Sequence, residues 1–457
     1  MKSMRILDTV AGRAVQVGRH GLSALAGAAV AVALAVSPAQ GQALPWAGQA
    51  PRVEAGDVDP FYNTADLVPG VPGTVLRTAS APYAPTPSGP DGHQFAVPDR
   101  VQKMMYSTTD MTGAPVAVSG YTVEPTVPWA GPGDRPTVVV GRGTVGQGDQ
   151  CAPSRNWPLD DQPDPLDSGR TVALEGAYDW VFASQGVRVV VTDYVGMGTP
   201  GMHTYMNRAE QAHAMIDAAR AARTLVEDRG EGFGSVGFYG HSQGGGASTA
   251  AVEAVADYAP ELDVAGAYAS APPADLEAVQ RTIDGSNLVG AIGFTINGLN
   301  ARYPALAAEL DTHLSDHGRD VLDDLAGMCT DEIGDTYGYQ TTDQWTADGR
   351  RLDDLLGEIP EGVRAMNEQR IGTGTPAAPT MIVSGRYDKT VAYGQARELA
   401  ATWCSAGAPV VYRDDILPEI SDQNHFLQAV SGSAFGIPFL LDRFHGRPVA
   451  GTCDFPA

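Results

Sequence analysis

The sequence predicts an α/β fold, in which helices cover a mostly parallel sheet. Between residues 101 and 270, strand-like apolar runs alternate with helical stretches, for example 187–191 followed by 209–229, and this alternation is typical of parallel sheets. Another strand-like run, 236–239, leads directly into a glycine-rich turn. The length of 457 residues suits one large α/β domain with an insertion better than two independent domains.

The glycine-rich turn contains a candidate nucleophile, Ser242. It reads GHSQG over Gly240–Gly244, and small residues follow at 245–247. A G-x-S-x-G match alone is weak evidence in a chain with 54 glycines. Here a strand-like run precedes the motif and small residues that allow close helix packing follow it. This is the arrangement of a nucleophile elbow, which is a feature of the α/β-hydrolase fold. The alternative is a Gly-Ser turn without chemistry.

A serine nucleophile of this type needs an acid and then a base further along the chain. The apolar run 379–385 predicts a buried strand, and Asp388 follows in the next loop. The carboxyl ends of strands are where α/β sheets place their sites, so Asp388 is the candidate acid. The same position could instead cap a helix that begins near Val391.

Two histidines, His425 and His445, follow Asp388. His425 comes after a polar loop and before an apolar segment, whereas His445 resembles the last residue of a helix, where a cation is favoured. A base needs a loop position that faces the serine, so we predict His425. It would take the proton of Ser242, while Asp388 would orient the imidazole.

A tetrahedral oxyanion needs preorganised N–H donors. The elbow supplies one, the backbone N–H of Gln243, and the loop 141–146 after the strand-like run 137–140 should supply the second, from Val145 or Gly146. This loop also spells G-x-G-x-x-G. A dinucleotide site would require a helix to begin inside that motif, but prolines and aspartates follow it. The sequence therefore predicts no nucleotide cofactor. It contains no C-x-x-C and no zinc-type set of ligands, and a polar helix face explains His313 and His317, so no metal ion is expected.

These motifs together resemble the secretory lipases, a fungal and actinobacterial branch of the α/β-hydrolases. The resemblance spans nearly the whole exported chain, and the segments that carry it are 105–110, 151–154, 192–200, 240–244, 403–404 and 424–426. It implies hydrolysis of acylglycerols and simpler carboxylic esters. One departure is the sequence GRGT at 141–144, where many relatives carry His-Gly-Thr, and it leaves the second oxyanion donor open.

Four cysteines lie in the part of the chain expected to be exported. Four cysteines allow three pairings, and an oxidising compartment favours two disulfides. The resemblance to secretory lipases favours Cys151 with Cys329 and Cys404 with Cys453.

The N-terminal segment 1–41 predicts a secretory signal peptide. Four Lys or Arg residues lie among its first 20 positions, an apolar run follows at 22–36, and small residues come next; these are the regions of a cleaved signal. The apolar run is shorter than the ~20 residues of a membrane span. We therefore expect an extracellular protein without a stable membrane anchor, although an uncleaved anchor is the alternative.

The net charge of −24 disfavours nucleic acid and anionic lipid headgroups as partners, which leaves a neutral lipid or a small ester. Nothing in the sequence fixes the oligomeric state. Residues 42–457 are expected to form the catalytic domain, in which 44–100 have little regular structure and 271–375 form a helical cap or lid. Apolar stripes at 288–289 and 292–294 either face the core of this insertion or contact a substrate.

Several functions remain compatible with these residues. A secreted triacylglycerol lipase or carboxylesterase that forms an acyl-enzyme on Ser242 is the leading prediction. The same three residues on the same fold also serve polyester hydrolases, acyltransferases and serine exopeptidases, because function depends on the site rather than the fold. A non-catalytic surface-binding module is the remaining class.

Overall fold

The computed structural model describes residues 59–83, 98–159 and 175–453, so the expected signal peptide lies outside the described residues. Within them, nine strands form one sheet in the order β1-β2-β3-β5-β4-β6-β7-β8-β9. The strands are β1 (Val75–Ser80), β2 (Pro98–Thr109), β3 (Pro115–Pro125), β4 (Thr137–Gly141), β5 (Arg188–Thr192), β6 (Val236–His241), β7 (Val264–Ser270), β8 (Thr380–Ser384) and β9 (Val410–Asp414).

Helices cover this sheet and also form a long insertion. They are α1 (Ala177–Ser184), α2 (Arg208–Glu227), α3 (Gln243–Tyr258), α4 (Leu276–Ile283), α5 (Gly290–Arg302), α6 (Pro304–Asp311), α7 (Asp316–Leu325), α8 (Thr330–Tyr337), α9 (Leu352–Glu358), α10 (Pro360–Gln369), α11 (Tyr393–Ser405) and α12 (Asn424–Phe444). Short 3-10 turns occur at Pro60–Tyr62, Asp149–Cys151, Pro153–Arg155 and Thr342–Trp345.

The predicted α/β class is confirmed. Strands β5, β4, β6, β7, β8 and β9 pair in parallel, and β1, β2 and β3 extend the sheet in antiparallel register. Every residue of β4, β5 and β6 is buried. Helices cover both faces of these strands, which is why their sequences are apolar runs without alternation.

One expectation was wrong. The stretch 44–100 was predicted to have little regular structure, but Val75–Ser80 form strand β1, which pairs with β2. The side chains of β1 are only half-buried or exposed, so the segment lacks the apolar run by which the central strands were found. Pairing with β2 stabilises it, since an edge strand satisfies its backbone through one neighbour.

The insertion lies between β7 and β8 and contains helices α4 to α10. It has its own apolar core, to which Val289, Ile292, Phe294 and Trp345 contribute. The apolar stripes of the sequence therefore face this core, and contact of those buried side chains with a substrate is not supported. Tyr205, from outside the insertion, also packs into the cluster and so connects it to the sheet domain.

Two disulfides are present, Cys151–Cys329 and Cys404–Cys453, the pairing implied by the resemblance to secretory lipases. The first joins the segment after β4 to the insertion, and the second joins α11 to the C-terminal tail.

We expect a Cys404→Ser, Cys453→Ser double variant to be less stable by roughly 2–4 kcal/mol, the usual effect of opening a closed loop; the two residues are 49 apart in sequence. Urea unfolding of the oxidised proteins measures the difference, with exposed Ser405→Ala on the same helix as the control. Peptide mapping without reductant should recover the 404–453 link. A Cys151–Cys404 peptide, or unchanged stability of the double variant, would contradict this expectation.

Candidate active site

The turn between β6 and α3 has the geometry of a nucleophile elbow. Ser242 has φ 55° and ψ −122°, and a positive φ is a backbone conformation that non-glycine residues rarely adopt. Its N–H donates to the carbonyl of Ser270 at 2.9 Å, which fixes the turn against β7. A Cβ atom at Gly244 would lie 1.9 Å from the carbonyl oxygen of Gly141. Glycine at 244 therefore lets α3 pack against the end of β4.

Three predicted residues from distant parts of the chain meet at this turn. The Oγ atom of Ser242 lies 2.9 Å from Nε2 of His425, and Nδ1 of His425 lies 2.8 Å from Oδ2 of Asp388. His425 is 2% exposed and Asp388 9% exposed. In this order, Nδ1–H donates to the carboxylate and Nε2 is free to accept the proton of the serine hydroxyl.

Asp388 has two roles, because its two carboxylate oxygens have different partners. Oδ2 accepts from His425, whereas Oδ1 accepts the backbone N–H groups of Thr390 and Val391 at 2.8 and 2.9 Å. The interpretation as a local backbone cap and the interpretation as a histidine partner therefore both hold. The backbone bonds fix the direction of the carboxylate that faces His425.

Further polar side chains behind His425 were not identified from the sequence. The ring of His241 lies 4.8 Å from that of His425. Nδ1 of His241 contacts Oγ of Ser270 at 3.1 Å, and Ser270 Oγ also accepts from Gln428 at 3.0 Å. Burial lowers the pKa of His241 well below its ordinary value, so this imidazole stays neutral beside the base.

Gln243, the predicted first oxyanion donor, is the first residue of α3. The N–H groups of a first helical turn have no acceptor within the helix, so the N–H of Gln243 is available to a ligand at the elbow. Its side-chain amide lies 3.1 Å from Nε2 of His203, whose Nδ1 contacts the carbonyl of Val195 at 2.9 Å. Burial lowers the pKa of His203 to about 4, so this histidine is a neutral acceptor that holds Gln243.

The two candidates for the second donor adjoin the insertion. The carbonyl of Val145 accepts the N–H of Thr330, and Gly146 forms an antiparallel bridge with Cys329. Gly143 lies closer to the elbow, since a Cβ atom placed on it would be 3.6 Å from the carbonyl oxygen of His241. Its own N–H already donates to Glu175. The choice of Val145 or Gly146 therefore stays a prediction.

A buried charged cluster lies beside this loop. Nη2 of Arg142 bonds both carboxylate oxygens of Asp179, at 2.8 and 2.9 Å, and the hydroxyl of Tyr121. Nη1 of Arg142 donates to the carbonyl of Glu175 at 2.6 Å. Glu175 is 7% exposed, and burial raises the pKa of its carboxyl group to about 7. The sequence offered one sign of it, a lone acid in the apolar run 172–178.

Over the described ranges, no group of three or more His, Cys, Asp or Glu side chains is placed to hold a metal ion. In the same part of the chain, none of the helices has the length and apolar character to cross a bilayer.

Curated relatives are named as lipases, and one of them as a probable inactive lipase. A protein of Mycobacterium tuberculosis named "Probable inactive lipase MT1628" is 28% identical over 86% of this chain and 83% of its own length. "Secreted triacylglycerol lipase LIP1" of Malassezia furfur is 25% identical over 90% of this chain and 80% of its own length.

Solved structures share the fold. Lipase A of Candida antarctica in its closed state matches with a TM-score of 0.71 at 20% identity, over 87% of this chain and 89% of that one. The rice cell wall degrading esterase LipA of Xanthomonas oryzae matches with a TM-score of 0.66 at 22% identity, over 82% of this chain and all of that one. The family model for secretory lipases matches residues 172–452, which span α1 to α12 and contain Ser242, Asp388 and His425. The chain belongs to the secretory lipase family.

Proposed function

We propose that this protein hydrolyses carboxylic esters through an acyl-enzyme on Ser242, with acylglycerols as the main substrate class. The observation that carries the proposal is the continuous contact from Ser242 Oγ to His425 Nε2 and from His425 Nδ1 to Asp388, at 2.9 and 2.8 Å. Membership of a lipase family supports ester hydrolysis as the reaction.

The proposed reaction has two halves. Ser242 Oγ attacks the ester carbonyl carbon while its proton passes to Nε2 of His425, and the resulting oxyanion accepts from the N–H of Gln243. The intermediate collapses, the carbon–oxygen bond of the alcohol breaks, and His425 protonates the departing alcohol. Water then attacks the acyl-enzyme with His425 again as base, which releases the acid and restores Ser242. Asp388 holds the imidazole in the required tautomer.

An uncharged substrate suits the surroundings of the site. The chain carries a net charge of −24, so an anionic substrate would be repelled. Ser242 is only 9% exposed, and we infer that neighbouring segments move to admit an acyl chain. We assign that role to the insertion, which is tied to the loop after β4 through Cys151–Cys329 and would act as a cap.

Export is part of the proposal. Two disulfides are typical of proteins that fold in an oxidising compartment, and curated relatives are named secreted lipases. Residues 1–41 would serve as the cleaved signal peptide.

The name of the mycobacterial relative, "Probable inactive lipase", makes turnover the decisive measurement. Purified wild-type protein should be labelled by a fluorophosphonate and should cleave p-nitrophenyl esters. A series of acyl chain lengths, a triacylglycerol emulsion, a polyester film and an aminoacyl amide would identify the substrate class. Labelling without ester turnover, together with cleavage of the amide, would replace the lipase by an exopeptidase. Absence of both labelling and turnover would reject the enzyme.

Asp388→Asn should lower kcat by about four orders of magnitude, because the amide presents N–H to Nδ1 and favours the wrong tautomer of His425. The variant should still fold, since the amide oxygen can accept the N–H groups of Thr390 and Val391. Kinetics on a soluble p-nitrophenyl ester and a thermal melt measure the two effects. Asp414→Asn, which affects an acid paired with Arg386, is the control and should keep wild-type kcat. A fall of less than tenfold in the Asp388 variant would remove Asp388 from the mechanism.

A further inference from the structure

We propose that Glu175 is a positioning residue of the ester-hydrolysis site, whose carboxyl group fixes the loop after β4 against the elbow and acts electrostatically on His425. This inference rests on the proposed function.

The first step is the contact of Glu175 with the loop. Its Oε2 atom accepts the N–H of Gly143 at 2.8 Å. A Cβ atom at Gly143 would lie 2.9 Å from Oε1 of Glu175 and 3.6 Å from the carbonyl oxygen of His241. The carboxyl group, the loop and the elbow therefore meet at Gly143. The loop continues into Val145 and Gly146, the candidates for the second oxyanion donor. A displacement of Gly143 would therefore also displace their N–H groups.

The guanidinium group of Arg142 lies near Glu175 but bonds other partners. Nη2 of Arg142 bonds the carboxylate of Asp179, and Nη1 bonds the backbone carbonyl of Glu175 rather than its carboxyl group. Both members of this pair are buried, with 5% and 0% of their side chains exposed. The Arg142–Asp179 pair is thus neutral as a unit and anchors the backbone of Glu175. The Glu175 carboxyl group has no salt bridge of its own within the described residues.

The third step concerns the other groups that face Glu175. Four tyrosines interact electrostatically with Glu175, and burial raises the pKa of each, so they stay neutral. They are Tyr178 on α1, Tyr194 in the loop after β5, Tyr239 on β6 and Tyr268 on β7. His241 on β6 also stays neutral. Burial raises the pKa of Glu175 to about 7, against the opposing effects of the Gly143 N–H, Arg142 and protonated His425. His425 is the group in this set whose charge changes during turnover.

A consequence for pH follows. The pKa of Glu175 is raised to about 7, which places its ionisation inside the pH range of the kinetic measurements. An ionised carboxylate beside the elbow stabilises positive charge that forms there during turnover. Removing the carboxylate should shift the midpoint of the acidic limb of kcat/KM, which reports the free enzyme, to lower pH.

Stability should respond to the same group. The pKa of Glu175 is raised in the folded protein from 4.5 to about 7, so between these values the folded state binds more protons than the unfolded state. The unfolding free energy therefore decreases as pH rises through this window. Glu175→Gln lacks this dependence. The Tm of the variant should therefore rise relative to that of wild type between pH 5 and pH 8.

The test compares Glu175→Gln, Glu175→Ala and wild type on a soluble p-nitrophenyl ester from pH 5 to 9. The Gln variant keeps an acceptor for the Gly143 N–H, so it should retain a maximal rate near wild type while its acidic midpoint moves down by about half a pH unit or more. The Ala variant loses the acceptor, so its kcat/KM should fall about 10- to 100-fold. If Gln keeps the rate that Ala loses, the hydrogen bond to the Gly143 N–H is what matters, and not the size or burial of the side chain.

Glu253→Gln is the matched control. Glu253 is another acid with a raised pKa, and 5% of its side chain is exposed. It likewise accepts loop N–H groups, from Gly372 and Gly374. Its substitution should change stability but leave the pH profile of kcat/KM in place. A Glu175→Gln profile that superimposes on wild type would overturn the inference, as would wild-type kcat/KM in Glu175→Ala. If the Ala variant does not fold, the Gln profile decides. If wild-type protein does not cleave esters at all, the proposed function fails instead.

Discussion

Ser242→Ala is expected to abolish ester turnover, with a loss on the order of a millionfold in kcat. The hydroxyl is the atom that would form the acyl-enzyme, and no other hydroxyl is recorded in contact with His425 Nε2 within the described residues. Alanine removes only the hydroxyl oxygen and meets the same backbone constraint at φ 55°. The Tm should therefore stay close to that of wild type.

Three measurements on one preparation test this expectation: kcat on a p-nitrophenyl ester, covalent labelling by a fluorophosphonate, and a thermal melt. Ser405→Ala, which affects an exposed serine on α11, should behave as wild type in all three. If Ser242→Ala retains a tenth of the wild-type rate, or is still labelled, the nucleophile has been assigned to the wrong residue.

The sequence predicted those parts of the fold and candidate site that depend on local pattern. Strands such as β4 and β6 are buried on both faces and therefore appear as apolar runs. Ser242 and Asp388 follow the carboxyl ends of strands, so their placement at one edge of the sheet could be expected. His425 was distinguished from His445 by an expected loop position, but the structure places it at the second residue of α12, just after that loop. His445 lies at the C-terminal end of the same helix, as expected.

The sequence did not reveal groups whose role depends on contacts across the fold. Glu175 is 32 residues from Gly143, to which it bonds, and no spacing rule connects the two. His241 lies inside the elbow motif, but only its packing against His425 and Ser270 gives it a role. Strand β1 is half exposed, so its sequence lacks the apolar run that marks a central strand. In each case tertiary contact, rather than local propensity, decides the outcome.

The choice of base gives the second large effect. His425→Ala should lower kcat about as much as Ser242→Ala, on the order of a millionfold. Within the described residues, His425 is the base in contact with the serine hydroxyl. Nucleophile and base act as a unit, so the Ser242→Ala, His425→Ala double variant should be no slower than either single variant.

His445→Ala is the matched comparison. His445 is the other histidine beyond Asp388, and its ring packs against Trp129 with centroids 4.8 Å apart rather than against the elbow. We expect kcat within a factor of about two of wild type, because a substitution away from the reacting atoms removes no interaction made only in the transition state. Both variants should be measured on the same ester at pH 8, with melts to establish folding. If His445→Ala is inactive while His425→Ala is active, the base has been assigned to the wrong histidine. Asp388 would then have no base to orient.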